Sequence, residues 1–157
     1  MIFLEPYAKP LLFLHLVAGF IALAGGIHCL TRLVLLHRIG FPTMGPIRLH
    51  ARTFVTAYLA AFVSGSLIYP TFRIRVRAEW LDSTHPFVVS LFEMKEHLGL
   101  LGLPAAGLAW YLARAMEFRK EEDRQHLPAF YAGLIWATSA LAYDACSGWY
   151  VASLRSL

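Results

Sequence analysis

Glu93-Met-Lys-Glu-His-Leu-Gly-Leu-Leu-Gly-Leu-Pro-Ala-Ala-Gly-Leu-Ala-Trp-Tyr-Leu-Ala-Arg114 decides how the chain folds. It opens on four ionisable residues, Glu93, Lys95, Glu96 and His97, and then stays apolar until Arg114. A helix of this length covers roughly 30 Å, the thickness of a bilayer's hydrocarbon core. Ionisable groups at the mouth of such a segment are costly to bury, which marks them as candidates for function. Shifted back by 82 positions, the stretch echoes the start of the chain. His97 then falls on His15, Leu98 on Leu16, Gly107 on Gly25 and Arg114 on Arg32. The chain reads as two pseudo-repeated helical hairpins.

Composition points the same way. Hydrophobic residues make up 58% of the chain and charged ones 15%. Soluble domains run nearer half apolar and about a quarter charged, so the lipid bilayer is the expected partner. The net charge is +4, and the basic residues cluster at helix ends without interleaved aromatics. That excludes nucleic acid as a partner. Cys29 and Cys146 fall toward opposite membrane faces and are not expected to pair. The N-terminus has neither a basic start nor a small-residue cleavage pattern, so its apolar run is expected to be a retained span.

The expected fold class is all-α, an integral membrane four-helix bundle forming a single domain over 1–157. The spans are 11–31, 47–69, 93–114 and 128–150. The glycines and prolines within 37–46 form a turn. Pro70 is expected to end or kink the second helix. Segment 71–84 reads as an interfacial amphipathic helix or helix extension, anchored by Trp80. Ser83-Thr-His-Pro86 reads as an N-cap with proline in the first turn. The third helix should run to about Phe118, its first turns standing in water. Four spans put both termini on one side. The faces of the first and third loops carry Arg32, Arg38, Arg48, Arg52, Arg114, Arg119, Lys120 and Arg124; the other face carries Lys9, Arg73, Arg75, Arg77, Lys95 and Arg155. The excess puts those loops in the cytoplasm.

Small residues on the first span, Gly19, Ala22 and Gly26, share a face with His15 and suit close helix packing. His15 and His97 lie at matching depth on parallel helices. Facing one another across a bundle, they would be placed as two axial ligands of a haem iron. His28 and His50 lie toward the inner side and form a second candidate pair, with His126 a competitor for the role of His50. For each histidine alone, a hydrogen-bonded packing role is the plainer alternative. Asp144 and Glu93 are candidates to orient a ligating histidine or to relay a proton. Lys95 and Glu96 read as a solvated helix start. Glu93, Glu96, His97, His15 and Asp144 also have the residue types of a carboxylate-rich metal site, but the Glu-x-x-His pattern of di-iron bundles has no second copy.

With His15 and His97 at matched depth in four spans, the chain resembles the small four-helix membrane b-type cytochromes. The resemblance implies one haem b, or two if His28 and His50 also ligate, and electron transfer rather than catalysis. It also implies redox subunits as partners, a quinone pool and a bacterial inner membrane. The alternative is a cofactor-free structural or assembly subunit of a larger membrane complex. A small transporter is a weaker fit, because the pair of broken helices expected of a midplane site is missing.

Overall fold

A computed structural model describes residues 2–39, 44–117 and 121–154. The centre of the predicted turn at 40–43, the expected helix end at Phe118 and the cations Arg119, Lys120 and Arg155 lie outside the described residues. The protein is an all-α bundle of four long helices, with no strand among the described residues. Helix α1 spans Ala8–Ile39 after a 3-10 turn at Glu5–Tyr7; α2 spans Met44–Phe72; α3 spans Pro86–Ala115; α4 spans Leu127–Leu154. A single helical turn, Glu121–Arg124, precedes α4. Packing runs in a ring: α1 on α2, α2 on α3, α3 on α4, and α4 back on α1. Helices α1 and α3 therefore stand at diagonal corners.

Among the described residues, three segments are long and apolar enough to cross a membrane: Glu5–Leu35, Met44–Thr84 and Pro86–Ala115. Many large apolar side chains point outward, among them Phe13, Phe20, Leu100 and Leu101. The interior is instead built on small residues. Ala18, Ala22, Gly25 and Cys29 on α1 are buried, as are Gly99, Gly102, Ala106, Ala109 and Ala113 on α3. Such stripes let backbones approach closely, as association in lipid requires. At Gly25 a Cβ would lie 3.1 Å from the backbone nitrogen of Phe54. Ala22 and Gly26 occupy the face expected of them, whereas Gly19 has open space beside it.

The two stripes correct the register of the repeat. They superpose at an offset of 84, which carries Ala18 to Gly102, Ala22 to Ala106, Gly25 to Ala109 and Cys29 to Ala113. The echo of identities at 82 is two residues out of phase with burial. Two residues turn a helix by about 200°, enough to reverse its face.

Beyond the bundle, α2 does not stop at Pro70. It passes into π-helical turns over Arg73–Leu81 and a short α-helical turn at Asp82–Thr84. Segment 71–84 is thus a helix extension. The π turns begin three residues after Pro70, which has no N–H to give to the i→i−4 ladder. Their wider winding brings residues four apart nearly into line. Phe72, Val76 and Trp80 accordingly pack as a row against Leu81, Val88, Phe92 and Val151. The Phe72 and Phe92 rings stack at 4.0 Å.

Pro86 ends this long helix by disfavouring the α region for the residue before it. His85 has φ −141° and becomes the N-cap of α3, with Pro86 in the first turn. The expected Ser or Thr side-chain cap is not formed. Ser83 and Thr84 donate back to the Trp80 carbonyl instead.

Candidate functional site

Helix α3 distributes its opening charges around its circumference. Glu93 is exposed and accepts from Arg77 at 2.6 Å. Glu96 is half-buried and accepts from the Tyr69 hydroxyl at 3.5 Å. Lys95 faces inward, on the stripe that continues as Gly99 and Gly102. Its ammonium lies 5.2 Å from the centre of the Phe92 ring, where a cation meets the negative ring face. It also sits beside Gly148 of α4, where a Cβ would lie 3.4 Å from Nζ. The solvated helix start expected for Lys95 and Glu96 is therefore corrected: both are drawn into the bundle.

Asp144 of α4 meets this stripe. Its Oδ2 lies 2.9 Å from where a Cβ of Gly99 would stand, so the missing side chain makes room for the carboxyl. Its Oδ1 is buried with no hydrogen-bond partner among the described residues. Lys95 interacts with Asp144 electrostatically without a direct hydrogen bond. Tyr58 crosses from α2 and donates to the Gly99 carbonyl at 3.1 Å. The hydroxyl occupies the space that a Cβ on Gly102 would need. Two glycines one turn apart thus admit one carboxyl and one phenol to the centre of the bundle.

His15 borders the same cluster. Its Nδ1–H donates to the Ala61 carbonyl at 2.8 Å, and its ring lies 3.0 Å from the Cβ position of Gly65. Nε2 remains uncommitted. Lys95 is within electrostatic reach of it. His15, Lys95 and Asp144 therefore come from α1, α3 and α4, with Tyr58 from α2. All four helices contribute.

The other predicted residues are placed differently. His97 lies on the exposed face of α3, two residues round from both Lys95 and Gly99. Its Nδ1–H donates to its own helix at Glu93 O, 2.7 Å away. His15 and His97 present to different sides of α3 and do not face each other across the bundle. His28 and His50 do meet: their rings lie 5.4 Å apart with planes at 28°, at the margin of α1 and α2. Glu93 serves the Arg77 ion pair outside the bundle rather than a histidine ring. No group of three or more metal-ligating side chains forms among the described residues. His126 is exposed in the turn before α4, and Cys29 and Cys146 are free thiols, the first buried and the second exposed.

The chain matches no protein-family model, no curated protein and no solved structure. Its chemistry is read from its own side chains. Sequence reasoning missed Lys95 and Tyr58 as members of the cluster. The signal for Lys95 was the helical spacing Lys95-Gly99-Gly102-Ala106, which puts it on the small-residue stripe.

Proposed function

We propose that the protein is a membrane subunit that handles a proton inside the bilayer. Asp144 is the group that takes up and releases it, and Lys95 is the neighbouring charge that sets its balance, with His15 on the far side of Lys95. One observation carries this reading: the Asp144 carboxyl is turned into the bundle with Oδ1 unpartnered, against a glycine face. An intramembrane carboxyl is paired, protonated or functional. With no donor fixed on that oxygen, its protonation answers to the charges around it. The test is infrared spectroscopy of the protein in lipid across pH. A protonated-carboxyl C=O band that titrates reversibly, and that vanishes in Asp144→Asn, is expected. No titrating band, or one that survives Asp144→Asn, overturns it.

A second reading keeps haem b and moves it to the pair that meets, His28 and His50, whose rings stack on one another and must turn apart before each can present a nitrogen to an iron between them. When bound there, haem supplies one-electron transfer, and the chain supplies the imidazoles. Redox subunits, quinone and a bacterial inner membrane belong to this reading. A visible spectrum of the purified protein separates the two. Haem bands lost in His28→Ala and His50→Ala, and spared in His97→Ala, support the inner pair; loss in His15→Ala and His97→Ala supports the outer one. A protein with neither a titrating carboxyl nor a haem band leaves the cofactor-free structural or assembly subunit as the reading to test next.

A further inference from the structure

At the opposite end of the bundle from Asp144, a groove of about 520 Å³ opens between α2 and α3. Arg48, Leu49, Arg52, Trp110 and Arg114 line it. The three arginines are held in different ways. Arg48 reaches across to the end of α3, donating from Nε to the Ala113 carbonyl at 3.1 Å and from a guanidinium nitrogen to the Met116 carbonyl at 3.2 Å. These carbonyls belong to the last turn, where a helix has no N–H of its own to offer. The two bonds fix the position of one guanidinium through neutral acceptors, with no carboxylate paired to it among the described residues. Arg114 stacks on the Trp110 ring, with 5.2 Å from its guanidinium carbon to the ring centre. Arg52 stands one helical turn beyond Arg48 on α2, exposed. None of the three forms an ion pair with a carboxylate among the described residues. The ion pairs there engage Arg75 and Arg77.

Three positive charges converge on one groove, at the level where an apolar helix face gives way to its charged end. Trp110 is an interfacial residue type, and Leu49 beside it is 61% exposed, an apolar side chain suited to acyl chains. Guanidinium forks match the paired oxygens of a phosphate, and an arginine is the residue of choice for such recognition. We propose that this groove binds a phosphate-bearing anion, the headgroup of an anionic phospholipid or a free phosphate. Arg52 and Arg114 grip its oxygens, and Arg48 is a fixed charge behind them. The site is independent of the Asp144 cluster.

The experiment uses the full chain in neutral detergent, with binding read by native mass spectrometry and by the shift in melting temperature. The probes are dioleoyl phosphatidylglycerol, dioleoyl phosphatidylcholine and inorganic phosphate. Arg48 is left intact because it ties α2 to α3. Wild type is expected to bind phosphatidylglycerol saturably and phosphatidylcholine weakly. The double variant Arg52→Gln/Arg114→Gln is expected to bind phosphatidylglycerol about thirtyfold more weakly. Arg73→Gln/Arg75→Gln, which removes the same charge at the other end, is expected to bind as wild type does. Protection by phosphatidylglycerol alone assigns the site to a headgroup. Equal protection by inorganic phosphate, lost in Arg52→Gln/Arg114→Gln, assigns it to a soluble anion. Equal binding by wild type and Arg52→Gln/Arg114→Gln, equal loss in both double variants, or no saturable binding of either anion overturns the proposal.

Discussion

At the end of the molecule that holds the termini, Arg75 and Arg77 are met by Glu5, Glu79, Asp82 and Glu93. At the other end, Arg48, Arg52 and Arg114 are met by two backbone carbonyls and an indole. The residue type is the same and its employment is opposite. Where carboxylates lie within reach, charge is neutralised internally and ties the α2 extension to α3 and to the N-terminus. Where no such ion pair forms among the described residues, charge stays available to something outside the chain. Between these ends the interior changes too. The Asp144 side mixes ionisable groups with glycines, while the arginine side is closed by apolar packing around Phe54, Leu33 and Phe130.

The comparison breaks most easily at the glycines. Gly102→Ala must displace the Tyr58 hydroxyl and with it the bond to the Gly99 carbonyl. A loss of about 2–3 kcal/mol is expected, from overpacking together with an unmade buried hydrogen bond. Gly107→Ala, which meets nothing within 4 Å, should be neutral or stabilising by up to about 1 kcal/mol. Unfolding titrations in mixed micelles give both numbers. Equal effects at the two glycines would mean that the polar cluster does not occupy the α3 stripe.

A smaller effect tests whether Lys95 and Asp144 act together. Lys95→Met and Asp144→Asn should each destabilise, and the double variant should be more stable than their sum predicts by about 1 kcal/mol or more. Strict additivity would separate the two residues and weaken the proton-handling proposal with them.

Smallest of all is the surface network. Arg77→Gln is expected to cost roughly 0.5 kcal/mol, screened by salt. The hydrogen bond to Glu93, with Asp82 beside it, holds the Arg77 guanidinium above its ordinary range. A raised arginine pKa contributes stability that is present below about pH 12 and lost only beyond it. An alkaline loss of stability in the pH range of ordinary buffers must therefore come from elsewhere, and it should survive Arg77→Gln unchanged.

Much of the fold was legible from simple signals. Apolar runs separated by charge and proline marked the four helices, and Pro86 marked the start of the third. The continuation of α2 through 71–84 was among the readings that segment allowed. What stayed hidden was rotation. Identities at an offset of 82 suggested that His97 is the counterpart of His15, but helix faces are chosen by which side chains can be buried, and the small-residue stripes align at 84. Nor could residue type alone say which of Glu93, Lys95 and Glu96 turns inward. Lys95 turns onto the central stripe, which continues in two glycines that leave space for Asp144 and Tyr58, while Glu96 is drawn only as far as Tyr69. The meeting of His28 with His50 depended on how α1 and α2 cross, which no single-helix pattern contains.

The unbroken segment Met44–Thr84 is 41 residues long. At about 1.5 Å per residue it is a rod of roughly 60 Å, twice the hydrocarbon thickness. If Met44 lies at one lipid surface, Trp80 stands about 50 Å away along the helix, above the opposite headgroups. The protein thus carries a mast, stiffened by the Phe72 and Phe92 stack and moored to the N-terminus through Arg75 and Glu5. A probe attached at Ser83 would report on the aqueous space rather than on the membrane.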